Sequence, residues 1–249
     1  MFRDDFVWGV ASSAYQVEGT DPEDGRGKCV WDVFTEEGHI HENQNAYTAC
    51  DHMHRYKEDY ALMRQLGIKA YRFSMNWARI LPEGTGRVNE KAIAMYRDMI
   101  VTMKENGITP YITMFHWELP QALQVKGGWL NPQIVDWFGE YAKVVAENFA
   151  DLCDYFITIN EPQCVVGLGH LSAVHAPGVK HTVTDTFQIA HNLLKAHGQA
   201  VINLRKYAGR PIKIGYAPTG GVAYPYTDSP EDIEAARNFL LHDDLEHLH

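Results

Sequence analysis

The stretch Thr158-Ile159-Asn160-Glu161-Pro162 closes an apolar run, Asp154-Tyr155-Phe156-Ile157, with the length and β-rich character of a short buried strand. Proline biases the residue before it away from helix, so the Asn-Glu pair falls where the strand stops and a loop begins. In a parallel α/β sheet or barrel, binding sites collect at the carboxyl ends of strands, which makes Glu161 a candidate general acid/base. Asn and Glu before Pro also suit plain turn initiation. The company at other strand ends decides between the two readings.

Working outward, the same form recurs along the chain. Upstream, Asn131-Pro132 supplies an N-cap with proline at the first helical position, and Trp137, Tyr141, Val144 and Val145 form the apolar stripe of the helix that follows. Before that, Asn89 can cap a helix whose Ile93, Tyr96, Ile100 and Met103 share a face; Gly107 ends it, and Thr109 to Phe115 is β-rich. Asp51 to Leu66 carries Tyr56, Tyr60 and Met63 on one helix face, with Gly67 as C-terminal cap and a strand at Lys69 to Met75. Phe6 to Ser12 reads as a first strand, with Ser13 to Gly19 as the loop above it. Between Thr20 and Asn45 lies a polar, Gly-rich stretch too long for an idle connection, the kind that folds over a site. Downstream come a helix over about Asp185 to Tyr207, a strand over Lys213 to Ala217, and a helix starting near Ser229-Pro230 that runs out into the polar tail ending at His249. Strands alternating with helices imply parallel pairing through right-handed crossovers, hence an α/β architecture, and no linker divides residues 1–249 into more than one domain.

The 249 residues, 45% hydrophobic, suffice for one substantial core. A net charge of −10 opposes binding to nucleic acid or an anionic membrane. There is no signal-peptide pattern at Met1-Phe2-Arg3 and no run of about 18 apolar residues, so a cytoplasmic location is expected. Four cysteines, Cys29, Cys50, Cys153 and Cys164, lack CxxC spacing and read as reduced thiols. Cys50, His52 and His54 cannot all share a helix face, and His170, His175 and His181 are scattered through a loop, so no metal site is expected.

The strand ends hold Gln16 and Glu18, then Arg72 with Asn76 and Trp77, then His116 and Trp117, then Asn160 and Glu161, and finally Tyr216. Amide, imidazole and carboxylate groups bind hydroxyls, and an indole packs on the apolar face of a sugar ring. That set suits carbohydrate better than phosphate, and the chain has neither a P-loop nor a dinucleotide fingerprint. Each residue also has a plainer role open to it: a structural histidine at 116, core tryptophans at 31, 77 and 117, and a strand arginine at 72 paired with a buried carboxylate.

The ordered motifs resemble glycoside hydrolase family 1, the β-glucosidase-type retaining glycosidases. They run through Phe6-Val7-Trp8-Gly9-Val10-Ala11-Ser12-Ser13-Ala14-Tyr15-Gln16-Val17-Glu18-Gly19, Trp31-Asp32, Ala49-Cys50-Asp51-His52, Tyr71-Arg72-Phe73-Ser74, Trp77-Ala78-Arg79, Phe115-His116-Trp117, Leu119-Pro120-Gln121, Thr158 to Pro162 and His175-Ala176-Pro177-Gly178. The resemblance implies a (β/α)8 TIM barrel, here a partial barrel of about five β/α units forming its N-terminal portion. It implies Glu161 as acid/base, with Gln16, His116 and Asn160 contacting the sugar, Trp117 lining the same subsite and Arg72 beside the nucleophilic carboxylate. The substrate class implied is a β-glycoside or its monosaccharide, and no cofactor. The family usually has Asp where Glu118 stands and Gly where Ala173 stands.

Retaining hydrolysis needs two carboxyl groups roughly 5–5.5 Å apart, one to protonate the departing oxygen and one to attack the anomeric carbon. The family resemblance places the second in a Thr-Glu-Asn-Gly motif on the seventh strand. The only Glu-Asn-Gly here, Glu105-Asn106-Gly107, falls where the family has a helix terminus before the third strand. The expectation is therefore a half-site with the acid/base present and the nucleophile motif missing, on a sheet whose bare edges favour self-association or a complementary barrel fragment. The alternative expectation is a sugar-binding or structural partial barrel without turnover.

Overall fold

The computed structural model describes residues 2–246 apart from Asp4 and Pro22. Five parallel strands, β1 (Gly9–Ala11), β2 (Ala70–Ser74), β3 (Thr109–Phe115), β4 (Tyr155–Asn160) and β5 (Lys213–Ala217), lie side by side in chain order. The principal helices are α1 (Val30–Glu36), α2 (His52–Gln65), α3 (Glu90–Glu105), α4 (Ile134–Phe149), α5 (Val183–Tyr207) and α6 (Pro230–Glu246). Sequential order with a helix between successive strands is the β/α repeat of a barrel sheet. The expected polar tail falls at 247–249, outside the described residues.

Alternation along the strands separates two faces. Tyr71, Phe73, Ile112, Met114 and Phe156 are buried against the helices, whereas Arg72, Tyr111, Tyr155 and Ile157 are only partly buried on the opposite, inward face. Tyr111 and Tyr155, paired across β3 and β4, stack there at 4.2 Å. The helix faces read from spacing pack as expected, with Ile93, Tyr96, Ile100 and Met103 of α3 all buried. Gly139 of α4 allows a close approach to α5: a Cβ there would meet Gln199 Cγ at 2.8 Å, and Asn203 Nδ2 reaches the Gly139 carbonyl at 2.7 Å.

Under the end of β3 lies an aromatic cluster. Trp77 stacks on Tyr141 at 5.1 Å, Phe115 meets Trp129 at 5.1 Å, and the Tyr141 hydroxyl donates to the Met114 carbonyl at 3.0 Å. This packing makes Trp77 a core residue, fully buried, and it fixes the strand end that carries His116 and Trp117.

Several local expectations are corrected. The first strand is only Gly9–Ala11, and Ala14–Val17 forms one helical turn in place of an open loop. Asn89 stands at the N-cap of α3 but makes no cap bond; its amide instead donates to the carbonyls of Asp24 and Arg79, fastening the long loop. Helix α4 starts at Ile134, after Asn131 closes a turn by accepting from the Gln133 N–H at 2.9 Å. Helix α5 starts two residues earlier than expected because Thr182 and Asp185 form a capping box. Glu18 points away from any cleft: with 3% exposure it accepts from Arg79 at 3.1 Å and from the Tyr96 hydroxyl at 2.7 Å.

Removing the Arg79 partner leaves a carboxylate unpaired in the core, so Arg79→Met is expected to destabilise the fold by about 3–5 kcal/mol in urea unfolding. Ala173 sits at φ +59, a left-handed conformation that costs a residue with a Cβ about 1–2 kcal/mol. Ala173→Gly is accordingly expected to raise the unfolding free energy in urea by roughly 1 kcal/mol.

Candidate functional site

The C-terminal ends of β2, β3 and β4 are joined by one chain of polar contacts. On the inward face, Arg72 Nε donates to Thr113 Oγ1 at 2.8 Å, and its Nη2 donates to Asn160 Oδ1. That contact turns the Asn160 amide so that its Nδ2 donates to His116 Nε2 at 3.2 Å. The indole N–H of Trp117 donates to the Asn160 carbonyl at 3.0 Å. Four of the residues singled out from the sequence, Arg72, His116, Trp117 and Asn160, are thus brought into direct contact.

Two of the residues at these ends adopt left-handed backbone, Trp117 at φ +88 and Glu161 at φ +43. Such conformations cost about 1–3 kcal/mol each and are tolerated where the surroundings fix them. For Glu161 the fixing is a backbone bond from its N–H to Ala217 on β5 at 2.8 Å, beside a register shift between β4 and β5. The Glu161 side chain is half-buried and touches the Cys164 thiol, whose pKa is raised by burial, by the Glu161 charge and by that contact.

His116 accepts at Nε2, so its proton belongs on Nδ1, which has no partner among the described residues. Burial, with the Arg72 charge adding to it, pushes the imidazole down to about 4. Burial also lowers the Arg72 pKa, and the Glu161 charge opposes that. The carboxylate partner expected for Arg72 is not found: among the described residues its bonds go to Thr113 and Asn160, with no ion pair.

Beside this chain lies a cavity of about 410 Å³ lined by Gln16, His116 and Trp117 together with Tyr15, Trp31, Thr35, Gln44, Asn45 and His175. Gln16 is exposed to it from the one-turn helix Ala14–Val17. Glu161 and Asn160 lie outside that lining, next to it at the end of β4. The long stretch after Thr20 does fold over the site, since α1 and the Ile40–Ala46 segment form one wall. His175, which opens the motif His175-Ala176-Pro177-Gly178, sits between Trp31 at 5.5 Å and Trp117 at 5.6 Å. Gln44 and Asn45 were overlooked, although two carboxamides in a long polar loop are a usable signal.

His170 and His181 come within 5.3 Å ring to ring, and burial together with the His181 charge pushes His170 down to about 3. No group of three potential metal ligands occurs among the described residues. Glu105-Asn106-Gly107 forms the C-terminal end of α3, with Gly107 at φ +73 immediately before β3, on the rim opposite Glu161.

A parallel sheet of five strands in chain order, with an amide, an imidazole, an indole and a carboxyl group at its C-terminal strand ends, is a partial (β/α) barrel. A sequence profile described as Glycosyl hydrolase family 1 matches residues 1–245, and the chain belongs to that family. It is similar to Beta-glucosidase A of Thermotoga maritima, 47% identical over 237 residues that make up 95% of this chain and 53% of the relative. The structure of the Thermotoga maritima β-glucosidase in complex with glucoimidazole superposes with a TM-score of 0.89 at 46% identity, over 96% of this chain and 54% of that one. A complex of the same organism's family 1 enzyme with isofagomine lactam gives 0.88 at 46% identity, over 96% and 54%. The chain spans about half the length of the relatives it matches.

With His116 depressed to about 4, protonation favours the unfolded chain as pH falls below the ordinary histidine value, and the stability held above that value is lost progressively towards pH 4. In NMR titration the His116 imidazole is expected to stay neutral at pH 5.5, where an exposed histidine is charged. His116→Gln is expected to flatten the loss of stability between pH 6.5 and pH 4 measured by urea unfolding.

Proposed function

We propose that this chain carries the proton-donating half of a retaining β-glucosidase site. Glu161 is the acid/base, Gln16, His116 and Asn160 hold the glycone hydroxyls, Trp117 lies against the ring, and Arg72 stands beside the place of the attacking carboxylate. The observation that carries this reading is the bonded set Arg72, Asn160 and His116 beside Glu161, in a chain 47% identical to Beta-glucosidase A of Thermotoga maritima. His116 supports it chemically: burial keeps the imidazole neutral in the cavity lining, and the Asn160 bond at Nε2 fixes its ring orientation. Isofagomine lactam, bound by the family 1 enzyme of Thermotoga maritima, is the kind of glucose analogue the site would take.

Turnover by double displacement needs a second carboxylate facing Glu161. No carboxylate is bonded to Arg72 among the described residues, so the proposed role of the chain by itself is glycone binding, with hydrolysis requiring a nucleophile supplied from further chain. Calorimetry with isofagomine lactam is expected to give one site per chain, weakened at least tenfold by Asn160→Ala; a silent wild-type titration sinks the reading. Where complementing chain restores hydrolysis of an aryl β-glucoside, Glu161→Gln is expected to lower the rate by about 10²–10⁴. It should also abolish the alkaline limb of the bell-shaped profile.

The alternative of a self-associating partial barrel is favoured by one observation. Phe6, Val7, Trp8 and Val10 are all more than a third exposed along the β1 edge, with Phe2 packed against Phe6 and Trp8. A strand edge and an apolar patch of this kind recruit another strand. Light scattering on the eluting protein is expected to give a mass above the 28.3 kDa of one chain; a lone 28.3 kDa species would argue against association.

A further inference from the structure

Glu118 directly follows Trp117 and is 1% exposed. Its Oε1 accepts the Tyr15 backbone N–H at 3.0 Å. Oε2 is buried with no partner among the described residues. Tyr15 opens the helical turn Ala14–Val17, which has no side-chain cap, so its N–H is one of the donors a helix start leaves unsatisfied. The same turn presents Gln16 to the cavity, and the Tyr15 hydroxyl reaches the far wall through Trp31 O at 3.1 Å and Thr35 at 2.9 Å. One carboxyl group therefore spans the junction between the turn carrying Gln16 and the β3 end carrying His116 and Trp117.

We propose that Glu118 is a positioning residue of the sugar site, clamping the Gln16 turn against the His116–Trp117 segment through the Tyr15 N–H. The inference rests on the sugar-site reading above. Burial pushes the Glu118 carboxyl up to about 8, the Tyr15 N–H opposes this, and the Glu18 charge adds to it. The titratable groups facing it are Glu18, held by Arg79, the Cys29 thiol ahead of α1, and the Tyr141 phenol of α4. Burial raises both Cys29 and Tyr141, so both stay neutral near pH 7. A raised carboxyl pKa favours the fold below the ordinary carboxyl value, and that contribution drains away as pH climbs to about 8.

The test pairs hydrogen exchange with calorimetry, using isofagomine lactam because an uncharged lactam does not titrate between pH 6 and 10. In Glu118→Ala the amides of 14–17 are expected to exchange at least tenfold faster than in the wild type at the same pH, with α3 and α4 unchanged and affinity at least tenfold weaker. Glu118→Gln keeps an acceptor for Tyr15 and is expected to match the wild type at pH 7. Wild-type protection of 14–17 in the alanine variant overturns the proposal. If that variant fails to fold, Glu118→Gln carries the test: loss of protection at 14–17 in it, with α3 and α4 unchanged, overturns the proposal instead. Absence of lactam binding by the wild type, with the exchange results as expected, removes the sugar reading and leaves the clamp standing.

Discussion

The arrangement above the sheet depends on one buried guanidinium. Arg79, 1% exposed, bonds to Glu18 from the turn after β1, to Asp24 and the Gly19 carbonyl from the long loop, and sits in the segment that follows β2. Glu18 is in turn held by the Tyr96 hydroxyl of α3. A buried charge pair gains little net stability over an apolar core, because desolvation consumes most of its attraction. What it imposes is geometry: a guanidinium fork tolerates few arrangements of its acceptors. Two polar loops that would otherwise be free over a strand end are thereby fixed relative to each other, and Gln16 is carried on one of them.

The bonded set at the strand ends works by the same logic at lower charge. Asn160 has one acceptor and one donor group committed within the protein, to Arg72 and His116, and its carbonyl holds Trp117. An amide used this way cannot flip without losing both partners, so the orientation of the imidazole follows from the orientation of the guanidinium. Arg72 is the weak point of the set. It is half-buried, its pKa is lowered by burial, and its bonds go to neutral oxygens. A cation so placed draws an anion toward itself, and the inward face of the sheet is where one would have to arrive.

How much of this was legible in the sequence follows from the range of each interaction. The strands at 109–115 and 213–217 and the buried face of α3 were readable because they rest on local periodicity. The Glu18–Arg79 pair was not, since 61 residues separate the partners, and Ser13 to Gly19 reads as a loop where Ala14–Val17 is a helical turn. Asn89 and Asn131 were misread for a related reason. An Asn before a helix fits the cap statistics whether it bonds its own helix or a distant carbonyl, and here tertiary partners took the amide of Asn89. The strand-end residues can be placed from sequence because the strand ends follow local periodicity; Gln44 and Asn45 cannot, because their distance from the strand ends is set by a loop path with no periodic signal.

Trp117 and Glu161 both leave their strands in a left-handed conformation, and this bears on why the site is built on strand ends at all. A residue continuing in extended geometry would send its side chain alternately to the helix face or the inward face. A left-handed step breaks that alternation and redirects the chain across the rim. The conformational cost falls on two bulky residues, and it is offset locally by bonds that exist only in that geometry: the Trp117 indole to Asn160, and the Glu161 N–H to Ala217. Each of these bonds crosses to a neighbouring strand. The strain is therefore borne by the sheet pairing itself, and the positions of Trp117 and Glu161 are as firm as the registers of β3 on β4 and of β4 on β5.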